Sequence, residues 1–331
     1  MNLIDLPKIE LHLHLDGSLH ASRVKQFLHN EYSLTEVYEM LQVKNNCASL
    51  NEYLTCFSVP LKVLQTAANL TIAANDLKDD LIKDHVIYAE VRFAPLLHLN
   101  KGLSIEDAVK AVLKGFKHQK IKINLLLCLM RGSSYELNQA TILVAKKFLH
   151  KGVCGLDLAG AENLYETSLY KKLFTYANKL NIPFTIHAGE ASGKKSIKTA
   201  ISFGASRIGH GINYEGDKQI LTSLINKKIA LEICPSSNLQ TASIKTIKKL
   251  PLYELYKAGV IVTINTDNRT VSNTNLVKEY TILLNNFDIN MADLIKMNEY
   301  AIASSFLPII EKETLLKDYR KLLDLYYLKI S

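Results

Sequence analysis

The chain has 331 residues, 48% of them hydrophobic, and a net charge of +8. Its lysines are spread over helix-like stretches such as "KKFLHKG" and "IKTIKKL" rather than interleaved with aromatics, so a solvated helix surface is read in preference to a nucleic-acid interface. The five cysteines are odd in number and form no C-x-x-C pair, no signal-peptide pattern opens the chain, and no run reaches ~18 apolar residues, which sets aside disulfide-framed and membrane-spanning classes and leads us to expect a cytoplasmic protein with no membrane partner.

The first strand-like segment is "IELHLHL" at 9–15, followed by Asp16 and Gly17 as a turn. Side chains alternate faces along a strand, so His12 and His14 share one face while Leu11, Leu13 and Leu15 take the other. Two such imidazoles are half of a metal site, or else two histidines that only solvate a half-exposed strand. Residues 18–85 read as a helix-rich insertion. Within it, "SLNEYLTCF" places Leu50, Tyr53, Leu54 and Phe57 at a spacing that suits either an apolar lid or an ordinary helix core.

Further strands are expected at 86–93, 121–129, 153–159, 182–188, 206–210, 229–235 and 260–267. Between most of them lie segments with apolar residues recurring at three and four, such as "SIEDAVKAVLKGFKHQ" and "DKQILTSLINKK". Eight buried strands separated by helices predict an α/β chain closed as a (β/α)8 barrel, with a helical insertion after the first strand and extra helices over 275–331. An open doubly wound sheet is the competing architecture. No repeat or linker divides the chain, so residues 1–331 are read as one domain.

Functional side chains of a barrel collect at the C-terminal strand ends. Here those ends carry His12, His14 and Asp16; Asp157 and "LAGAE"; His187 and Glu190 of "HAGE"; His210 of "IGHG"; and Asp267 and Asn268 of "INTDN". Each alone has a bland reading, His210 as a loop hydrogen-bonder and Glu190 as a helix N-terminal carboxylate. Their joint placement is the signal.

In this order, "HLHLDGS", "HAGE", "RIGHG", "EICPSSN" and "TINTDN" closely resemble the adenosine deaminase family of metal-dependent amidohydrolases, and "VIYAEVRFAP" and "LDLAGAE" are similar to further strand motifs of that family. The resemblance implies one zinc ion per chain, held by His12, His14, His187 and Asp267. It implies Glu190 as proton shuttle to purine N1, His210 as base or electrostatic stabiliser, and Asp267 as the residue orienting the attacking water. Gly160 would offer its N–H to purine N3, Asp16 would take the ribose hydroxyls, Asn268 would face purine N7, and His14 would border the nucleoside. The expected reaction is hydrolytic deamination of adenosine and 2′-deoxyadenosine, with a small purine nucleoside as the partner and no oligomeric state assigned. An adenine, modified-adenine or nucleotide deaminase of the same family is the alternative, and a purine-binding protein without activity is a reading from another class. His85, His98, His118 and His150 are not recruited, and Arg131 receives only a structural role. One position departs from the commoner family pattern: Asn268 stands where many members carry a second Asp.

Overall fold

The computed structural model describes residues 3–45, 47–117 and 120–330. His118 lies outside the described residues. Eight strands occur, β1 Lys8–His14, β2 Val86–Phe93, β3 Lys122–Met130, β4 Val153–Ala159, β5 Thr185–Ala188, β6 Arg207–His210, β7 Ala230–Ile233 and β8 Val262–Ile264. All neighbours pair in parallel, as β1-β2-β3-β4 and β5-β6-β7-β8. The two sheets meet at both seams through single parallel bridges, Leu156 to Phe184 and Leu13 to Asp267. The order of strands and the crossover helices between them are those of a (β/α)8 barrel, not of an open doubly wound sheet.

The seam between β8 and β1 explains why the last strand is shorter than the expected 260–267. Beyond Ile264, side chains take over the ladder's hydrogen bonds. Asn265 Oδ1 accepts from Leu11 N (3.0 Å), and Glu10 accepts from both the N and the Oγ1 of Thr266 (3.0 Å each). Asp267 then returns to backbone pairing: its N–H donates to His12 O (2.9 Å), and its carbonyl accepts from His14 N (2.7 Å). This fixes Asp267 directly beside the two β1 histidines.

The helices begin where their caps dictate. Ser104, Ser134 and Thr66 each accept a backbone N–H three residues on, at the starts of Ile105–Phe116, Tyr135–Phe148 and Ala67–Lys83. The insertion after β1 is helical throughout much of its length, from Ala21–Phe27 to Ala67–Lys83. The helices Leu276–Asn286, Met291–Ser304 and Ile309–Ile330 follow β8. One large apolar core, from Leu6 to Tyr326, fills the space between strands and helices. Inside the ring the period-two alternation buries charge instead. Glu10, Glu90, Arg92, Asp157, Arg207 and Glu232 are all completely buried. Unpaired, such groups would be very costly, so their partners decide what this interior can hold. No described helix is long and apolar enough to cross a membrane.

Candidate metal centre and active site

The strand ends bring the expected residues to one mouth. Asp267 Oδ1 lies 3.3 Å from His12 Nε2 and 3.4 Å from His14 Nε2. His14 Nε2 is 3.3 Å from His187 Nε2. His12, His187, His210 and Asp267 each direct one ligand atom into a space where all four atoms lie within 4.8 Å of one another. His210 thus joins the cluster alongside His14, and five candidate groups share the mouth rather than four. Two of these residues, His210 and Asp267, have left-handed backbone (φ +61° and +60°), which for residues with a Cβ is held only by surrounding structure.

The ring orientations are set from behind. His12 Nδ1 donates to Glu232 Oε2 (2.8 Å), and His187 Nδ1 lies 2.9 Å from Asp157 Oδ2. Burial alone would raise both carboxylates. The Arg92 and Arg207 charges hold Glu232 well below its usual range, and His187 and Arg92 do the same for Asp157. An ionised carboxylate can only accept, so each ring places a proton on Nδ1 and turns Nε2 toward the mouth. His12 Nε2 is buried and has no hydrogen-bond partner. Three imidazole nitrogens and a carboxylate, with one buried nitrogen left without a partner, fit a metal cation.

Arg92 ties this outer layer together. Its Nη1 donates to Asp157 Oδ2 (3.1 Å) and its Nη2 to Glu232 Oε2 (2.9 Å). Arg207 continues the network to Glu232 and Glu90, 2.6 Å each. Sequence reading quoted the motifs that hold Arg92 and Glu232 but gave neither a role. The available signal was a charge inside an otherwise apolar strand, "EVRF" and "LEI".

Glu190 is buried beside His210, with Oε2 3.5 Å from His210 Nε2. Burial, then the negative charges of Asp267 and Glu162, push its carboxyl well above the usual range, which favours the protonated acid. Burial, first of all, pushes His210 well below its usual range. Asn238 Nδ2 donates to His210 Nδ1 (2.9 Å). The turn that carries Glu190 hangs on Glu162, whose carboxylate accepts the N–H groups of Gly189, Glu190, Ala191 and Ser192 at 2.6–3.0 Å. Glu162 therefore anchors this turn, a role its place in "LAGAE" did not reveal.

Asp16 opens a short 3-10 turn, Asp16–Ser18. Its Oδ1 is buried without a partner, and burial raises its pKa to about 6. Gly160 follows β4 with φ +103°, a conformation open to glycine and strained for other residues. Asn268 is buried, and its Oδ1 lacks a partner. Arg131 donates to His187 O (2.7 Å), Tyr165 O (2.6 Å) and Thr167 Oγ1 (3.0 Å), in line with a structural role. His85 and His150 sit in left-handed turns, and buried His98 bonds Leu64 O through Nδ1 (2.9 Å). The insertion segment reaches the mouth, as the Phe57 ring lies 6.5 Å from that of His14. Tyr53 packs in a small cluster with Cys56 and Val271, apart from the main core. That placement separates the covering reading of this segment from the core reading.

Comparison with known proteins follows the same lines. The family model described as adenosine deaminase matches residues 7–322. An adenosine deaminase of Haemophilus ducreyi is 42% identical over 323 residues, covering 93% of this chain and 94% of that protein. One of Enterococcus faecalis is 40% identical over 319 residues, covering 94% and 95%. Among solved structures, the N6-mAMP deaminase of Arabidopsis superposes with a TM-score of 0.87 at 27% identity, over 96% of this chain and 99% of that one. With five of its motifs gathered at one barrel mouth and relatives matched along nearly its full length, the chain belongs to the adenosine deaminase family.

Proposed function

We propose that the chain deaminates adenosine and 2′-deoxyadenosine by adding water at C6 and releasing ammonia. The observation that carries this reading is the buried Glu190, its carboxyl pushed well above the usual range, set beside a cluster of three imidazoles and Asp267. His12, His14, His187 and Asp267 would hold one zinc ion. His14 is preferred to His210 as the fourth ligand because its Nε2 faces Asp267 and His187, whereas His210 Nε2 faces Glu190. When bound, zinc lowers the pKa of a coordinated water toward ~7 and so supplies a nucleophile at neutral pH. Asp267 would orient the attacking water. His210 takes up or stabilises the proton it loses. Glu190 gives its proton to purine N1, which removes the ring's aromatic character and makes C6 electrophilic. The proton held at His210 passes to the departing amino group, which leaves as ammonia, and the C6 hydroxyl gives its proton to Glu190 as C6 becomes a carbonyl.

Gly160 would meet N3 with its N–H, and Asn268 would donate to N7. His14 would border the nucleoside, and Asp16 would accept from the ribose 5′-hydroxyl. A cytoplasmic place in purine metabolism suits the five cysteines, all of which are unpaired. A nucleotide-level reading has one observation in its favour, the similarity to a deaminase whose substrate is named as N6-methyl-AMP. Asp16 opposes it, because a carboxylate at that point repels a 5′-phosphate. Adenosine, adenine, AMP and N6-methyl-AMP should be assayed in parallel for ammonia release. Adenosine is expected to have the highest kcat/KM, and turnover of AMP alone would overturn the proposal. Asp16→Asn should weaken adenosine turnover and relax the exclusion of AMP by roughly tenfold or more, since a hydrogen bond to a charged group carries ~1.5–3 kcal/mol.

A further inference from the structure

Asp16 and Asn268 would meet different parts of one nucleoside, the ribose and the base, yet they come from opposite ends of the chain. Asp16 opens the turn after β1, and Asn268 lies in the loop after β8. Their separation has to match the ligand, so something must fix it. The two loops are bonded to each other over a short stretch. Thr270 N and Val271 N both donate to Gly17 O (3.1 and 3.2 Å), Arg269 N donates to Ser18 Oγ (3.2 Å), and Thr270 Oγ1 donates to Leu19 O (2.8 Å). The Asn268 side chain lies so close to Gly17 that any Cβ there would collide with it. The turn that carries Asp16 and the loop that carries Asn268 therefore form one clasp.

The clasp is held by the last helix of the insertion. Arg269 Nη2 lies 3.2 Å from Asp84 Oδ2, and the two side chains are 11% and 6% exposed. Such a pair escapes most of the screening that leaves surface ion pairs worth little. Arg269 Nη1 is buried and has no hydrogen-bond partner, so loss of Asp84 would leave a poorly compensated buried charge. Asp84 Oδ2 also accepts from Leu276 N (3.2 Å), at the first residue of the helix Leu276–Asn286. One carboxylate oxygen thus grips both ends of the loop after β8. Asp84 is itself tied down, since its carbonyl accepts from Lys8 Nζ (2.8 Å). It caps the C-terminus of the helix Ala67–Lys83, where a negative charge opposes the helix dipole, so its contacts explain its place better than the helix does. One and two turns back along the same helix, Asp80 bonds His20, and Asp76 accepts from Arg23 Nε (2.7 Å) and Nη2 (3.1 Å). These contacts seat the chain leaving the Asp16 turn on the helix that also holds Arg269.

We propose that Arg269, paired with Asp84, is a positioning residue for the nucleoside. It locks the clasp so that the Asp16 carboxylate and the Asn268 amide stand at one separation, and selectivity for the ribose hydroxyl is set in part by this ion pair. The inference rests on the proposed reading of Asp16 and Asn268 in an adenosine deaminase.

The test measures kcat and KM for adenosine and for 5′-deoxyadenosine, which lacks the hydroxyl that Asp16 would take. It uses the metal-loaded wild type, Arg269→Gln, Arg269→Lys, Asp84→Asn, the Arg269→Gln/Asp84→Asn double variant and Thr270→Val, each with metal analysis and a thermal melt. The wild type should favour adenosine by about tenfold or more, the size of one hydrogen bond to a charged group. Arg269→Gln should lose about three- to tenfold of that preference, through a higher KM for adenosine and with metal content unchanged. Arg269→Lys keeps the charge and should retain most of the preference. In the Asp84→Asn background, Arg269→Gln should change the preference no further. Thr270→Val removes the bond to Leu19 O and should move the ratio the same way by a smaller factor, which keeps the proposal testable should Arg269→Gln fail to fold. Equal losses on both substrates would assign the ion pair to general stability and overturn the inference. Additive effects in the double variant would also overturn it, by showing that Arg269 acts without Asp84. A wild type that turns over both compounds equally well would remove the ribose role of Asp16 and the inference with it. One that turns over neither would remove the reading of the site itself, a different and separately visible failure.

Discussion

Glu190 sits among groups that disfavour its charge, and under the proposed reading the burial that raises its pKa suits it to give a proton rather than to bind the metal. Glu190→Gln should therefore keep the metal, the fold and the binding of 1-deazaadenosine, which has no N1 to protonate. Its kcat should fall by ~10²–10⁴. Steady-state kinetics with metal analysis decides the matter, since near-normal kcat with a lowered melting temperature would assign the residue to the turn alone. A second buried acid acts on stability instead. Glu279 accepts from Ser236 N (3.0 Å) and bonds Thr274 Oγ1, and burial raises its pKa to about 7. For a carboxyl raised on folding, the folded chain binds more protons than the unfolded one between the two pKa values. Its contribution is thus fully present below the unfolded value of 4.5 and is lost as pH rises through about 7. The loss is on the order of 3 kcal/mol by linkage. Urea denaturation between these pH values should show a flatter stability profile for Glu279→Gln than for the wild type.

At the scale of elements, the strands contribute in layers. β1, β5, β6 and the segment after β8 supply the groups that face the mouth, while β2, β4 and β7 supply what stands behind them. Arg92 of β2 is the joint of the second layer, because one guanidinium bonds the carboxylates behind both His12 and His187. Arg92→Met leaves Asp157 and Glu232 without their shared partner. It should lower metal affinity ~10–100-fold, as loss of outer partners generally does. Arg92→Lys should lie between, since an ammonium lacks the planar fork that reaches two carboxylates at once. Competition against a chelator of known affinity measures this directly, and unchanged affinity in a folded Arg92→Met protein would refute it. The short helix Leu50–Leu54 and the turn Thr55–Phe57 work differently, as they reach the mouth from an insertion, with the Phe57 ring 6.5 Å from that of His14.

For the whole molecule, a metal bound only by the folded chain stabilises it by mass action. At free metal ~1,000 times Kd the gain is about 4 kcal/mol. Exhaustive chelation should therefore abolish deamination and lower the melting temperature together, and one equivalent of zinc should restore both. Recovery that needs two equivalents per active chain would contradict the one-metal reading. The polar interior links these effects to the fold. Arg207 bonds Glu90, Glu90 accepts from Phe306 N, and Arg207 also donates to Ser304 O, so the network behind the ligands ends on the helices after β8. Those helices read in the sequence as accessories, and in the molecule they close the charged network from below.

Much of this was written locally. Alternation at His12 and His14, the end of β5 at His187 and Glu190, and the end of β6 at His210 were legible because strand period and turn residues depend on near neighbours in the chain. The first four strands lie within a residue of their expected bounds for the same reason. The later strands shortened, as at β8, where the Glu10 and Asn265 side chains replace ladder bonds across more than 250 residues of sequence. Which carboxylate stands behind which imidazole was not legible. Glu232 meets His12 across 220 positions, and Tyr53 meets Ser272 across 219. A local pattern reports the face a side chain takes, but its partner on that face is chosen only when the barrel closes. The sequence by itself therefore determined the family, the strand order and the groups that face the mouth. The tertiary structure decided how those groups are held, because buried charges find their partners only through contacts that ring closure creates.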